Sequence, residues 1–539
     1  MSPRTPPATP NAPAKETWIE QASSFIGFFV YLLVLKTYFL PLFIIPTGSM
    51  AEGLYGEHAA HACPNCGTEY AVGWQQPPFW APPREAYDTR FHPGVLLCPN
   101  CRWPQWYDFG NRANLLQRGF QPSELLSQRL RPVAGDRIFV HGWPFEGAFA
   151  GLDAFGPQRW DVVVFKVPTD GDTNYIKRLI ALPGEEVELI DGDVFINGRL
   201  VGKPRDAQRS LWFPYFNQDH PARAPTQRLD FHPRWVARDG SGAWTGLETR
   251  TLRCAAASGR RAELQFCTDP RNPLEAGRVQ DLYGYNEPRN ETPHSVTDVR
   301  LSAEVEFAAG DSAGYVELST TKGPHQFFAC LERDGTLRLQ HNESGEDAPE
   351  APRETWAETK LTPVNTPLHV ALGHLDGVVT VEINRAPLLE SIPSQYQITP
   401  ATATTVGRPP VLRIATENAR LNLRHVLIER DVYYTSNIHL RDRPGYGVQG
   451  SPLKLGPDAY FLLGDNSPNS QDARFAFSRQ DQPPVIAPHL RARSDYQPGT
   501  VPRDQLLGRA FFVYWPGFQP LTPRGPNLLP DFGRARWIH

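Results

Sequence analysis

A chain of 539 residues is long enough for about three or four domains. Its net charge of -4 excludes the basic field expected of a nucleic-acid-binding protein. A content of 40% hydrophobic against 21% charged residues excludes a wholly disordered chain, and the 54 prolines favour loops and β-structure over long helices.

Residues 1–17, rich in Pro, Ala and Thr and without apolar periodicity, read as a disordered tail. Phe25 to Ile45 is almost entirely apolar, and its 21 residues would just span a bilayer, but Lys36 and Pro41 divide it. The alternative to one continuous span is an anchor helix over 18–36, with Lys36 snorkelling to the interface, then a buried strand from Tyr38 to Ile45. A cleavable leader fits less well, because the preceding tail is long and no small-x-small site follows cleanly. Arg4 and Lys15 are offset by Glu16 and Glu20, so charge says little about orientation. Only two Met are present, so Met50 is not expected to be core filler.

Residues 61–110 hold two Cys-Pro-Asn-Cys knuckles, Cys63/Cys66 and Cys98/Cys101, separated by 31 residues. Two thiolates from each tight turn would complete a tetrahedral zinc site of structural type, as in a zinc ribbon. Disulfides are the alternative in an oxidising compartment. Trp74, Phe79, Trp80, Trp103 and Trp106 surround the knuckles and are expected to pack a small core rather than touch lipid or peptide. The remaining three cysteines, Cys254, Cys267 and Cys330, are scattered.

Residues 131–202 read as successive strands, Arg137–Val140, Asp161–Lys166, Val187–Ile190 and Val194–Ile196, with turns at Asp191-Gly192 and Asn197-Gly198. Residues 203–443 are too long for a loop and should form a domain of their own. Within them Val299–Phe307, Phe327–Leu331, Thr336–Gln340, Leu368–Leu372 and Val378–Ile383 are strand-like, which predicts a β-sandwich, loosely jelly-roll-like over Thr366 to Ala386. Residues 444–539 return to the first pattern, with strands at Tyr460–Leu463 and Val501–Trp515. The fold expected is mainly β.

Three strings carry the chemistry. They are Ile45-Pro-Thr-Gly-Ser-Met50, Tyr175-Ile-Lys-Arg-Leu-Ile-Ala-Leu-Pro-Gly-Glu185, and Gly464-Asp-Asn-Ser-Pro-Asn-Ser-Gln-Asp-Ala-Arg474. A serine needs a neighbouring base, and no His lies in these strings, whereas Lys177 does. Lysine can act only when neutral, so burial must lower its pKa by several units from about 10.4. Leu179, Ile180 and Leu182 offer apolar surroundings. Taken alone, Lys177 would be read as a solvated strand lysine, and the Asp465-Asn466 string as a solvent-facing turn.

In this order the strings resemble type I signal peptidases, with family-like sequence over about 18–60, 131–202 and 457–516. The resemblance implies a single-pass protein of the cell membrane with its catalytic domain outside, and an antiparallel β catalytic domain interrupted by the two inserts. Its partners would be lipid and the signal peptides of exported preproteins, cut after small-x-small sites. It makes Ser49 the acylating nucleophile and Lys177 the general base, without a catalytic cofactor. The Ser49 N–H and the Thr47 hydroxyl would hold the oxyanion. Ser470 would hydrogen-bond the lysine, Asp472 and Arg474 would brace the site, and Asp465 and Asn466 would open the last turn. Ser467-Pro468 and Ala473 depart from the family pattern. Ile44, Ile45, Pro46, Phe139 and Val140 are candidates for small apolar substrate pockets, although core packing explains each equally well. Two alternatives stay open: a same-fold peptidase for a narrow substrate class, and a membrane-tethered protein whose sandwich binds glycan or a surface protein on an inactive scaffold.

Overall fold

The computed structural model describes residues 17–34, 41–73, 94–107, 117, 125, 130, 132–142, 156–223, 234–238, 240, 242–256, 259–267, 279–286, 294–308, 314–343, 352–403, 409–440, 443–478, 483–520 and 527–539. Residues 1–16, where a disordered tail is expected, and Lys36, Trp74, Phe79 and Trp80 lie outside them. The expectation of a mainly β, antiparallel architecture holds.

A helix spans Trp18–Val34, 17 residues, with Phe25, Ile26, Phe28 and Phe29 each more than half exposed. No helix among the described residues is long and apolar enough to cross a membrane. Of the buried strand expected over Tyr38 to Ile45, residues 38–40 lie outside the described residues, and Leu42–Ile44 forms a short strand that is not buried. It lies at the edge of its sheet, paired only with Arg137–His141, so Ile44 is 56% exposed. An edge position leaves one side of the strand without a neighbour.

The central eight-stranded antiparallel sheet runs from Leu42–Ile44 through Arg137–His141, Leu506–Trp515, Val162–Lys166, Asn174–Ala181 and Ala459–Leu463 to Val501–Pro502, with Arg536–Trp537 added to Leu506–Trp515. Thus chain segments on either side of residues 203–443 alternate within one sheet. The expected closing strand is interrupted: a 3-10 turn at Arg503–Gln505 separates Val501–Pro502 from Leu506–Trp515. The turns at Asp191-Gly192 and Asn197-Gly198 adopt positive φ at both residues, the hairpin geometry that favours Asp, Asn and Gly there.

Within 203–443, two antiparallel sheets of eight and seven strands share one apolar core containing Leu301, Val305, Phe327, Leu339, Leu372 and Ile428. The strand Val299–Phe307 appears where alternation places it, with Val299, Leu301, Ala303 and Val305 facing that core. A polar cluster is buried where the sandwich meets the hairpin Glu186–Ile190/Asp193–Ile196, which belongs to a separate four-stranded sheet. Lys203 Nζ contacts Asp376 at 2.6 Å and Asp431 at 2.7 Å, while Lys322 contacts Asp298, which also bonds His374 at 2.8 Å. Carboxylate oxygens of Asp193, Asp298 and Asp376 cluster here, and the two lysines supply the positive charge. Removing one partner from such a seam leaves charge buried without compensation. Lys203→Met is expected to destabilise the chain by about 3–5 kcal/mol, read from the denaturant midpoint.

Candidate functional site

Lys177 sits in the strand Asn174–Ala181, opposite Val163 of the neighbouring strand. Leu179 lies two positions on, on the same face, and is wholly buried, as is Ile180. The lysine is 2% exposed. Its Nζ donates to Ser49 Oγ at 2.6 Å and to the Ile176 carbonyl at 3.0 Å. Burial lowers its pKa to about 8, against the pull of Asp472 and Asp465 and with the help of Arg474. Folding therefore joins two residues 128 positions apart, and gives the lysine the desolvation it needs to be neutral near physiological pH.

Ser49 is 8% exposed and follows the edge strand in a tight turn, where the Ala51 N–H donates to the Gly48 carbonyl at 3.0 Å. Among the described residues neither the Ser49 N–H nor the Thr47 hydroxyl takes part in a hydrogen bond, and Thr47 is exposed beside the serine. Met50 is completely buried, packed with Ile45, Leu54, Ile138 and Val140. It is core after all, anchoring the turn from below.

The third string wraps the nucleophile. The Asn466 N–H donates to the Ser49 carbonyl at 3.1 Å, and Asn466 Nδ2 to the Gly48 carbonyl at 2.9 Å. Far from being a solvent-facing turn, Asp465 and Asn466 are 1% and 0% exposed. Arg178, read at first only as a neighbour of the lysine, forks onto Asp465 at 2.9 and 2.8 Å, and Tyr434 OH adds a third bond. Asp472 and Arg474 form a fully buried pair at 2.7 Å, and Asp472 also accepts from the Gly464 N–H at 3.1 Å. Gly464 is required by the close approach: a Cβ there would collide with Ser470 Oγ and the Ser49 carbonyl.

Two expectations are corrected. Ser470 Oγ is buried with no hydrogen-bond partner, so its expected bond to Lys177 is not formed. The lysine uses the Ile176 carbonyl instead. Ser467, where the sequence departs from the family pattern, accepts from Arg474 Nη1 at 2.6 Å and from the Thr435 N–H at 2.8 Å. Of the pocket candidates, Ile45 and Val140 are 2% and 0% exposed and belong to the core, because alternation turns Ile138 and Val140 inward. Ile44 and Pro46 are exposed, and Phe139 is half-buried against Tyr514 and Phe511.

The four knuckle cysteines are buried, and no disulfide joins any of the seven cysteines. Cys63 Sγ lies 3.6 Å from Cys101, and Cys66 Sγ 3.7 Å from Cys98. A tetrahedron with metal–sulfur bonds of about 2.3 Å has edges of about 3.8 Å, so the four sulfurs could hold one zinc-sized ion. The knuckle asparagines face outward to the sandwich: Asn65 Oδ1 accepts from the Arg223 N–H at 3.0 Å and Asn100 Oδ1 from the Asn217 N–H at 2.7 Å.

A segment of the insertion that sequence reading passed over, Tyr283 to Asn286, also reaches this site. Tyr283 OH bonds the Asp465 carbonyl at 3.0 Å, the Gly284 N–H bonds half-buried Glu52 at 3.1 Å, and Asn286 exchanges two bonds with Asn466 at 2.7 and 2.8 Å. Only the turn-like Tyr-Gly-Tyr-Asn composition could have drawn attention to it.

The family described as "Signal peptidase, peptidase S26" matches residues 126–229 and 413–515. The Signal peptidase I proteins of Rickettsia akari, Rickettsia felis and Rickettsia typhi are each 49% identical to this chain over 45 residues, 8% of its length. The chain spans 17% of the length of these curated relatives. Among solved structures, a carbohydrate-binding module of Bacillus subtilis is 10% identical, with 36% of this chain and 95% of that one covered and a TM-score of 0.23. The laminarinase of Rhodothermus marinus is 9% identical, with 41% and 98% covered and a TM-score of 0.27. Scores this low carry no weight for the sandwich. The matched segments are signal-peptidase-like, and that family implies a serine peptidase.

Proposed function

We propose that this chain is a membrane-attached signal peptidase that cleaves exported preproteins after small-x-small sites with a Ser49–Lys177 pair. The observation that carries the reading is the 2.6 Å contact between Ser49 Oγ and a lysine whose burial lowers its pKa to about 8. Neutral Lys177 takes the Ser49 proton as Oγ attacks the scissile carbonyl. The Ser49 N–H and the Thr47 hydroxyl receive the oxyanion. The lysine then returns the proton to the leaving amine, and water, deprotonated by the same lysine, releases the acyl group. Exposed Ile44 and Pro46 are where an extended substrate would meet the edge strand.

The apolar segment 18–36 is the proposed membrane attachment. Its described helix, Trp18–Val34, rises about 26 Å, short of the ~30 Å hydrocarbon core, and residues 35–40 lie outside the described set. The proposed catalytic part therefore works at the membrane face, with glycan or a surface protein as a further partner of the sandwich. Cys63, Cys66, Cys98 and Cys101 would hold a structural zinc; a closed four-thiolate site offers no open position for substrate.

The test is cleavage of a preprotein with an Ala-x-Ala site by the detergent-solubilised chain. Ser49→Ala and Lys177→Ala are each expected to lower turnover about 10⁴-fold or more while leaving far-UV circular dichroism unchanged. Cleavage that survives either substitution would sink the assignment. Because only neutral lysine can accept the serine proton, kcat/KM should rise with pH and level off above a midpoint near 8. A rate falling through that range would exclude Lys177 as the base. Elemental analysis should find one zinc per chain, lost in Cys63→Ser together with a lower melting temperature.

A further inference from the structure

The insertion does more than sit beside the proposed site. Asn466 holds the nucleophile turn by two bonds, to the carbonyls of Gly48 and Ser49. Its own side-chain amide is held by Asn286: Asn466 Nδ2 donates to Asn286 Oδ1 at 2.8 Å, and Asn286 Nδ2 donates back to Asn466 Oδ1 at 2.7 Å. Asn469 Nδ2 lies 3.4 Å from the same Asn286 oxygen. The neighbouring Tyr285 closes the other side. A Cβ on Gly48 would run into its ring, its hydroxyl bonds the Glu57 carbonyl at 2.9 Å, and its ring stacks on Tyr55 at 5.6 Å.

We infer that Asn286, with Tyr285 behind it, is a positioning residue for the Ser49 nucleophile, supplied by the inserted domain to the peptidase site. The inference rests on the peptidase reading above. An amide can rotate; what stops Asn466 from rotating is a partner that both donates and accepts, and among the described residues Asn286 alone does so. Without it the Nδ2 donor to the Gly48 carbonyl is no longer fixed, only the backbone bond to the Ser49 carbonyl is left, and Ser49 Oγ is free to drift from Lys177. Asn286 touches neither Ser49 Oγ nor Lys177 Nζ in the structure, so its effect passes through Asn466.

The experiment compares the full chain with Asn286→Ala, Asn286→Asp, Asn466→Ala and the Asn286→Ala/Asn466→Ala double variant. Preprotein cleavage and the rate at which a fluorophosphonate labels Ser49 are both measured. Asn286→Ala should lower kcat about 10- to 100-fold with KM little changed, leave the pH midpoint where it was, and slow labelling in parallel. The double variant should be no slower than Asn466→Ala alone, since the two residues act through one clamp. Asn286→Asp keeps the volume and the acceptor but loses the donor, and so retains a soluble chain if the alanine variant does not fold; it should be impaired in the same sense. Full activity in both Asn286 variants, or losses that simply add in the double variant, would overturn the inference and leave the peptidase reading intact. Slowed labelling in a chain that cleaves no preprotein would support the clamp and sink the substrate assignment. A parent chain that neither cleaves nor labels would overturn both.

Discussion

Burial makes the ammonium form of Lys177 costly, and the contacts around Ser49 follow from that constraint. Lys177 lies in a strand buried along most of its length, and desolvation outweighs every other influence on its charge. Two carboxylates, Asp465 and Asp472, work in the opposite direction and would hold the proton on if left unpaired. Each is matched by its own arginine, Arg178 and Arg474, in buried contacts of 2.8 and 2.7 Å. The arginines thus do two things at once. They make burial of the carboxylates tolerable, and Arg474 adds a repulsion that favours neutral lysine.

The same contacts explain how three parts of the chain come to share one site. Asp465 and Asn466 reach back over the nucleophile turn, while Tyr283 to Asn286 of the insertion cover them from the far side. Tyr285 meets the nucleophile turn at Gly48 and the cysteine insert at Gly73, whose N–H donates to the Tyr285 carbonyl at 2.8 Å. Both glycines are needed because any side chain would displace that ring. The asparagines of the two knuckles bond the sandwich backbone near Asn217 and Arg223. An appended domain on a flexible tether would show none of this; the insertion is woven into the site it interrupts.

The lysine seam at Asp298, Asp376 and Asp431 fits the same picture. It places buried charge beside apolar contact, since Ile190 and Phe195 of the hairpin carrying Asp193 also pack into the sandwich core. Apolar contacts tolerate sliding, whereas paired charges in a dry seam are satisfied in one register only. Such a seam would keep Tyr285 and Asn286 aligned with Ser49.

Much was legible in the sequence because it depends on local chemistry. Alternation located Val299–Phe307 and Val378–Ile383, and the Asp191-Gly192 and Asn197-Gly198 pairs located hairpin turns, since Asp, Asn and Gly take positive φ at least cost. The spacing of the knuckles foretold four sulfurs within reach of one another. The three strings pointed to Ser49 and Lys177 through resemblance, not through any local property of a lysine. What only the tertiary structure decided is everything that depends on which surfaces meet: that Ile45, Met50 and Val140 turn inward while Ile44 does not, that Ser470 misses Lys177, that Ser467 receives Arg474, and that Asn286 clasps Asn466. Asn286 and Asn466 are 180 positions apart, and nothing in the residues flanking either one encodes the other. Local pattern sets the strand and the turn; long-range packing sets which side chain each one meets.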